Sequence, residues 1–456
     1  MGLTRRQLVA GAAGAALGAA GIYELADKLS ESPSRSAAAV PLGPRPPEQH
    51  VLDGVPVVVE NGIQVVVPPR HHLVVTATIR PGVDVATAQP QLEHALRELE
   101  SRYEQTPAGL GLTLAWGVPY FDRYVSEAAA AHMPFDRRAQ KPALLPTRTF
   151  PSDPDGTLLE HNDVALLIRS DRLEHIEDAR KTLLDELAVF DAQSLRRGFV
   201  GGDLPRRLAV AAGVPGSDLI PENSELFLGF TSTQKAGLGP RRIANFETLG
   251  LVDLRGGYFR GGTHMHLSHI FEDLEAWYLN FAFQERVDTA FRPGLKVAEN
   301  VQTVPQGPKQ VASTKEVERD FKLAGRFGHS ASIQTSSRLL QDTTGEDGTV
   351  YVKGTAIPQR ADFNTLDNPF AWSADPTRDQ VVSDAAAGVH FVVFNPSSDD
   401  FHRNRLAMDG VLPDGTTLPL QPGARGQGFN SVLRTTHRQN FLVPPRRSRS
   451  FPLAEL

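Results

Sequence analysis

The sequence predicts an α+β fold built as tandem ferredoxin-like halves, antiparallel sheets with helices packed on them. Three observations predict it. Short β-branched runs are followed by stretches with helical spacing of apolar residues, in the order strand, helix, strand. That order returns twice further along the chain, dividing it near residue 240. A chain of 456 residues with 40% hydrophobic content is also long enough and apolar enough to build a large core.

In order, Val57-Val58-Val59 and Ile63 to Val67 flank an Asn61-Gly62 turn, which reads as a hairpin, and His72 to Ile79 reads as a strand. Pro90 to Tyr103 carries Leu92, Leu96 and Leu99 on one helical face, with Pro90 suited to a first turn. Leu112 to Trp116 returns to strand character, and Val164 to Ile168, a helix over 172–190 and a short strand Leu226 to Phe230 repeat the pattern. The third round runs from a strand at Gly261 to Ile270 through a helix over 271–287 around Trp277. It ends with a strand at Val389 to Phe394 and a helix from Asp400 to Met408. The implied divisions are 1–39 (signal and linker), 40–240 and 241–446 (the two halves) and 447–456 (a basic tail).

Composition excludes several function classes. The net charge of -6 is modest and Lys and Arg are scattered, so no nucleic-acid partner is expected. With no cysteine there is no disulfide, thiolate nucleophile or cysteine-held cluster, which leaves His, Asp, Glu and Tyr as metal ligands. No Gly-rich phosphate loop follows a strand, and no Gly-x-Ser-x-Gly elbow occurs. Thr4-Arg5-Arg6-Gln7-Leu8-Val9 followed by the Ala/Gly-rich run to Tyr23 is a twin-arginine export pattern, too short in its apolar part for a span of ~20 residues. The expectation is passage through the Tat translocase to an extracytoplasmic location, secreted or anchored. Cleavage is expected after Ala37-Ala38-Ala39, and a flexible linker over 24–47.

The chemistry-bearing stretch is Leu323 to Asp362. His329 stands between Gly328 and Ser330, small neighbours that leave room for a planar cofactor beside the ring, and Arg360 follows later in the segment. Leu112 to Arg123, Arg197-Gly198-Phe199-Val200-Gly201-Gly202, Leu274-Glu275-Ala276-Trp277, Gln284-Glu285-Arg286-Val287 and Asn440 to Pro445 are collinear motifs. Through them, roughly residues 50 to 446 resemble the dye-decolourising peroxidase superfamily. The resemblance implies haem b, its iron held by His329, with Arg360 as the distal arginine and Arg338 an arginine after the histidine loop. Lys353 competes with Arg360 for the distal role. It also implies hydrogen peroxide and an electron donor as substrates; a homo-oligomer is compatible with it. An imidazole can supply the axial bond, a carboxylate on its far nitrogen would raise its donation, and a guanidinium stabilises charge as the O–O bond breaks.

One departure stands out. Gly201 occupies the place of the superfamily's distal aspartate and cannot carry a proton. Asp203 either substitutes for it or caps a turn beside Pro205. Two functional readings follow: an exported haem peroxidase, or a degenerate relative that binds haem or another small ligand without turnover.

The remaining clusters read more plainly. His264 and His266 share one strand face and His269 the other, so a three-histidine metal site needs a bulge. By the resemblance His269 falls near the haem propionates; the plain reading is a surface histidine. His71-His72 reads as solvated, Asp153 to Gly156 as an ordinary turn rather than a calcium loop, and Trp116, Trp277 and Trp372 as core or electron-passing aromatics. The tail from Pro444 to Ser450 reads as basic and disordered.

Overall fold

A computed structural model describes residues 22–26, 49, 57–60, 63–66, 68–104, 106–230, 242–243, 256–299, 312–344, 350–369, 385–420 and 425–456. The twin-arginine motif, the Ala37-Ala38-Ala39 cleavage point and Trp372 lie outside the described residues. Among the described residues no helix is long and apolar enough to cross a membrane.

The first half runs β1 (Val57–Glu60), β2 (Ile63–Val66), β3 (His71–Ile79), α1 (Val85–Arg102), β4 (Gly111–Gly117), β5 (Val164–Ser170), α2 (Leu173–Arg180) and β6 (Phe190–Phe199). Strands β1 and β2 pair antiparallel, as expected of a hairpin; the Asn61-Gly62 turn expected from the sequence lies outside the described residues. Helix α1 starts earlier than Pro90 implies, because the Asp84 carboxylate accepts the Thr87 amide and caps it; Pro90 falls in the second turn. The helix expected over 172–190 is shorter. It passes through a π-helical turn, Lys181–Glu186, and gives way at Phe190 to a ten-residue strand, β6.

The second half runs β7 (Thr263–Glu272), α3 (Leu274–Asn280), α4 (Phe283–Ala290), α5 (His329–Ser337), β8 (Gln359–Arg360), β9 (Phe363–Thr365), β10 (Gly388–Asn395), α6 (Ser398–Met408) and β11 (Leu433–Val443). The helix expected over 271–287 is two helices, the first capped by Asp273 at the Ala276 amide. Leu226 to Phe230 forms turns rather than a strand.

Strand order shows how the halves relate. The first sheet is ordered β6-β3-β5-β4 and the second β9-β10-β7-β11, both antiparallel, the ferredoxin-like order in each case. Their edges then pair with each other, β9 with β6 at Asn364 and Phe199, and β11 with β4 at Phe441 and Leu442, so the sheet closes on itself. At the first joint Gly198 is required: a Cβ there would lie 2.2 Å from the Phe363 ring.

Closure makes an interior that neither half has alone. Val74, Ala165, Leu167, Met265, Leu267, Phe394 and Phe441 fill one end. At the other end the strand alternation places polar side chains: Thr76 bonded to Ser194, the ion pair of Arg196 with Glu160, and His269 with its ring 4.2 Å from His390 and 5.3 Å from His437. Helices α1 and α2 cover the outer face of the first sheet with Leu92, Leu96, Leu99 and Ile176, and a second helical core packs around Trp277 and Phe291.

Three expectations are corrected. Ile22, Tyr23 and Ala26, assigned to signal and linker, are buried in the second core, with Tyr23 Oη 2.9 Å from Asp367 Oδ1, 3.0 Å from Arg197 O and 3.3 Å from Thr365 Oγ1. His71 and His72 are buried, not solvated; His72 Nε2 lies 2.9 Å from Pro69 O and its ring stacks on Phe363. The tail is ordered: Arg449 is 1% exposed and bridges Glu93 and Glu100 on α1, and Phe451 and Leu453 enter the first core.

Candidate functional site

One pocket, lined mainly by the second half and by the end of the first, brings together the histidine and both arginines that the sequence singles out. It is a cleft open to solvent on one side, with a cavity volume of about 130 Å³, below the ~300–1,000 Å³ typical of ligand clefts. Helix α5 contributes His329, Ser330, Ile333 and Ser337, its end Arg338, and β8 Arg360. Apolar walls come from Leu226, Leu228, Phe230, Phe291 and Phe429. The segment expected to be a strand thus serves as wall: its turns are tied down by Trp277 Nε1 donating to Leu228 O and Tyr278 Oη to Phe227 O.

His329 is the first residue of α5. Its neighbour Gly328 is dictated by packing, since a Cβ there would sit 2.1 Å from Phe291 O. The imidazole leans on Phe429 at 4.6 Å, and its Nδ1 is buried with no hydrogen-bond partner. Burial, then the Arg360 and Arg405 guanidinium groups, lower its pKa to about 3, so the ring is neutral at ordinary pH and has a lone pair to give. Among the described residues no carboxylate accepts from Nδ1, contrary to the arrangement the resemblance implies.

Arg338 caps the end of α5 and is buried, which with the nearby Arg360 lowers its pKa to about 10. Arg360 is half-buried, with Nε 3.7 Å from Asp362 Oδ1. Lys353 is not in the wall.

Asp203 and His269 are not brought to the pocket. Asp203 precedes the helix Leu204–Ala211 in left-handed backbone (φ 65) and pairs with Arg207 at 3.0 Å, its side chain 46% exposed. His269 lies inside the closed sheet beside His390 and His437, neither at the surface nor at this wall. His264 and His266 lie on the opposite strand face from His269; among the described residues no group of three His, Cys, Asp or Glu is arranged to hold a metal ion. Asp153 is a buried anchor that accepts from Arg405, Arg438 and the Phe150 amide. Trp116 and Trp277 are fully buried core.

Sequence reasoning missed Glu272. It ends β7, lines the pocket, and holds an Oε2 with no hydrogen-bond partner. Burial, with Asp362 nearby, pushes its pKa up to about 8. The only local signal was its place just before the Asp273 cap, which says nothing of a pocket.

The residues present fit haem on three counts: a neutral buried imidazole, apolar walls for a planar ring, and two guanidinium groups for a dianionic edge. The missing partner at Nδ1 leaves His329 a weaker donor than a carboxylate-paired imidazole.

Comparison with known proteins bears on the fold. A family model described as a family of unknown function, DUF7405, matches residues 69–445. Among curated proteins none matches by sequence. Solved structures of DyP-type peroxidases share the fold. The encapsulated DyP-type peroxidase from Mycobacterium smegmatis is 14% identical, with 85% of this chain and 96% of that one covered and a TM-score of 0.50. DyPB from Rhodococcus jostii RHA1 is 15% identical over 85% and 96%, with a TM-score of 0.51. A heme complex of a variant of that enzyme is 14% identical over 84% and 96%, also at 0.51. The chain thus shares the fold of DyP-type peroxidases.

Proposed function

Because the chain belongs to DUF7405, a family of unknown function, we propose its activity from the pocket: a haem-dependent oxidoreductase that reduces hydrogen peroxide with an electron donor. The observation that carries this reading is the convergence of His329, Arg338 and Arg360 on one cleft, in a fold shared with DyP-type peroxidases. Haem b, when bound, supplies redox chemistry at its iron.

His329 would hold that iron through its neutral imidazole. Arg338 and Arg360 would take the anionic edge of the ring, and the Arg360 guanidinium would also steady negative charge on a peroxide oxygen. Leu228, Phe230, Phe291 and Phe429 would keep water from the ring faces. A second reading, ligand binding without turnover, is favoured by Gly201 and by the absence of Asp203 from the pocket wall.

An absorption spectrum of protein produced with ample haem tests the first claim. A Soret band is expected in wild type and its loss or shift in His329→Ala; a band indifferent to that substitution ends the assignment. In the loaded protein, Arg360→Ala is expected to slow peroxide-dependent dye oxidation by about 10²-fold. Equal rates would remove Arg360 from the chemistry, and a Soret band with no dye oxidation in wild type would select the second reading.

The location proposed is extracytoplasmic, by the Tat route, on the twin-arginine pattern at Arg5-Arg6. Burial of Ile22, Tyr23 and Ala26 argues that the segment stays attached, since cleavage after Ala39 would open the second core. Mass measurement of exported protein is expected to retain residue 23; a mature chain starting at residue 40 with unchanged thermal stability would sink this.

A further inference from the structure

We propose that Glu272 is the proton carrier of this pocket, taking a proton from one peroxide oxygen and returning it to the other. The inference rests on the haem-peroxide reading and assigns within it the acid–base group that Gly201 cannot be and that Asp203, absent from the pocket wall, does not supply.

Position comes first. Glu272 closes β7 at the point where the strand turns into the Asp273 cap of α3, and its backbone amide is held by Ala387 O at 3.0 Å. The side chain is thereby fixed in the wall that also carries His329, Arg338 and Arg360, and it is the only carboxylic acid among the lining residues. A buried carboxyl with a purely structural role is expected to have its oxygens satisfied by the protein. Among the described residues Glu272 Oε2 is buried and has no hydrogen-bond partner, so the group has an open site for a small polar ligand. The charged and titratable groups around it are Asp362, which together with burial raises its pKa to about 8; Arg338, Arg360 and the neutral His329 across the wall; and Tyr278 on α3. A general base is most effective with a pKa near the working pH, and this one titrates there.

The step balances. Glu272 carboxylate takes the proton of one peroxide oxygen and delivers it to the other, the O–O bond breaks, and its electron pair leaves on the protonated oxygen as water. The remaining oxygen is reduced to a second water by two electrons and two protons from an oxidisable aromatic donor of the phenol class. Glu272 ends as it began, and Arg360 holds the departing charge while the proton is in transit.

Because the starting form is the carboxylate, the reaction with peroxide is expected to speed up as pH rises and to level off above about pH 8. The test substitutes Glu272→Gln and, conservatively, Glu272→Asp. In haem-loaded protein mixed with peroxide, Glu272→Gln is expected to keep the Soret band of wild type, react about 10²-fold more slowly and lose the pH dependence; Glu272→Asp is expected to keep a pH-dependent limb. A second readout needs no cofactor. In apo protein the raised acid binds a proton that the unfolded chain has released, so wild-type stability falls between the ordinary glutamate range and about pH 8 and is flat above it. The stability difference of Glu272→Gln over wild type in urea should therefore widen across that window and then stay constant. A Soret band with an unchanged peroxide rate and pH profile in Glu272→Gln overturns the proposal, as do parallel apo stability curves. Absence of a Soret band in wild type ends the haem reading itself and is told apart by that spectrum alone.

Discussion

Removing the last eleven residues, 446–456, is expected to leave a chain that no longer folds. The segment reads as a basic tail, yet it closes the first core. Phe451 stacks on Phe190 at 5.7 Å and lies 5.0 Å from Trp116, whose Nε1 donates to Arg449 O at 2.8 Å. Tyr120 Oη donates to Pro452 O at 2.9 Å. Phe451 and Leu453 hold φ of 39 and 72, a left-handed backbone that non-glycine residues rarely adopt unless packing holds them there. Losing a buried Phe costs about 3–5 kcal/mol and a buried Leu about 2–5. Loss of Arg449 leaves Glu100 buried beside Glu93 without its cation, a further cost of roughly 3–5 kcal/mol. The total reaches the ~5–15 kcal/mol that a domain has in all. Circular dichroism of the truncated chain checks this; a cooperative melt within a few degrees of wild type would refute it. The milder Phe451→Ala should still fold, about 3–5 kcal/mol less stable in urea.

What the sequence discloses and conceals follows from which faces are apolar. Strands β3, β4, β5 and β10 carry β-branched or aliphatic runs, because both of their faces meet apolar packing, and they are readable. Strands β6 and β11 are not. Their inward positions are Ser194, Arg196, His437 and Gln439, which suit the polar end of the closed interior and erase the alternation that marks a strand. The tail misleads for a related reason: Arg446, Arg447 and Arg449 look like a solvated charge run until Glu93 and Glu100, some 350 residues earlier, supply the partners of Arg446 and Arg449, and the Tyr258 and Arg260 carbonyls accept from Arg447. In the pocket, His329 and Arg360 lie within one continuous stretch, where His329 is marked by its small neighbours, and Arg338 enters only through the resemblance. Glu272 was not, since nothing local distinguishes a glutamate at a strand end that meets a pocket from one that meets water.

The same buried polar interior makes stability strongly dependent on acid. Burial, first among the causes in each case, lowers the pKa of His264 and His329 to about 3 and of His402 and His437 to about 4. It also lowers His72, His266, His269 and His390. A histidine that stays neutral in the native state but charges near pH 6.5 when unfolded contributes stability that is full above 6.5 and lost as pH falls toward its native value. By pH 5 each of the four with stated values costs about 2 kcal/mol, roughly 8 together, and the other four act in the same direction. Glu272 and Asp400, raised to about 8 and about 6, run the other way and return about 4 kcal/mol between pH 7 and 5. The histidines win, and acid unfolding is expected near pH 5 to 4. His264 is a useful probe, because it is fully buried and burial is the largest cause of its lowered pKa. His264→Leu should reduce the stability lost between pH 7 and pH 5 by about 2 kcal/mol in urea titrations, whatever it does at neutral pH. Equal losses in wild type and variant would mean that the His264 ring is already charged, or already wet, inside the native fold.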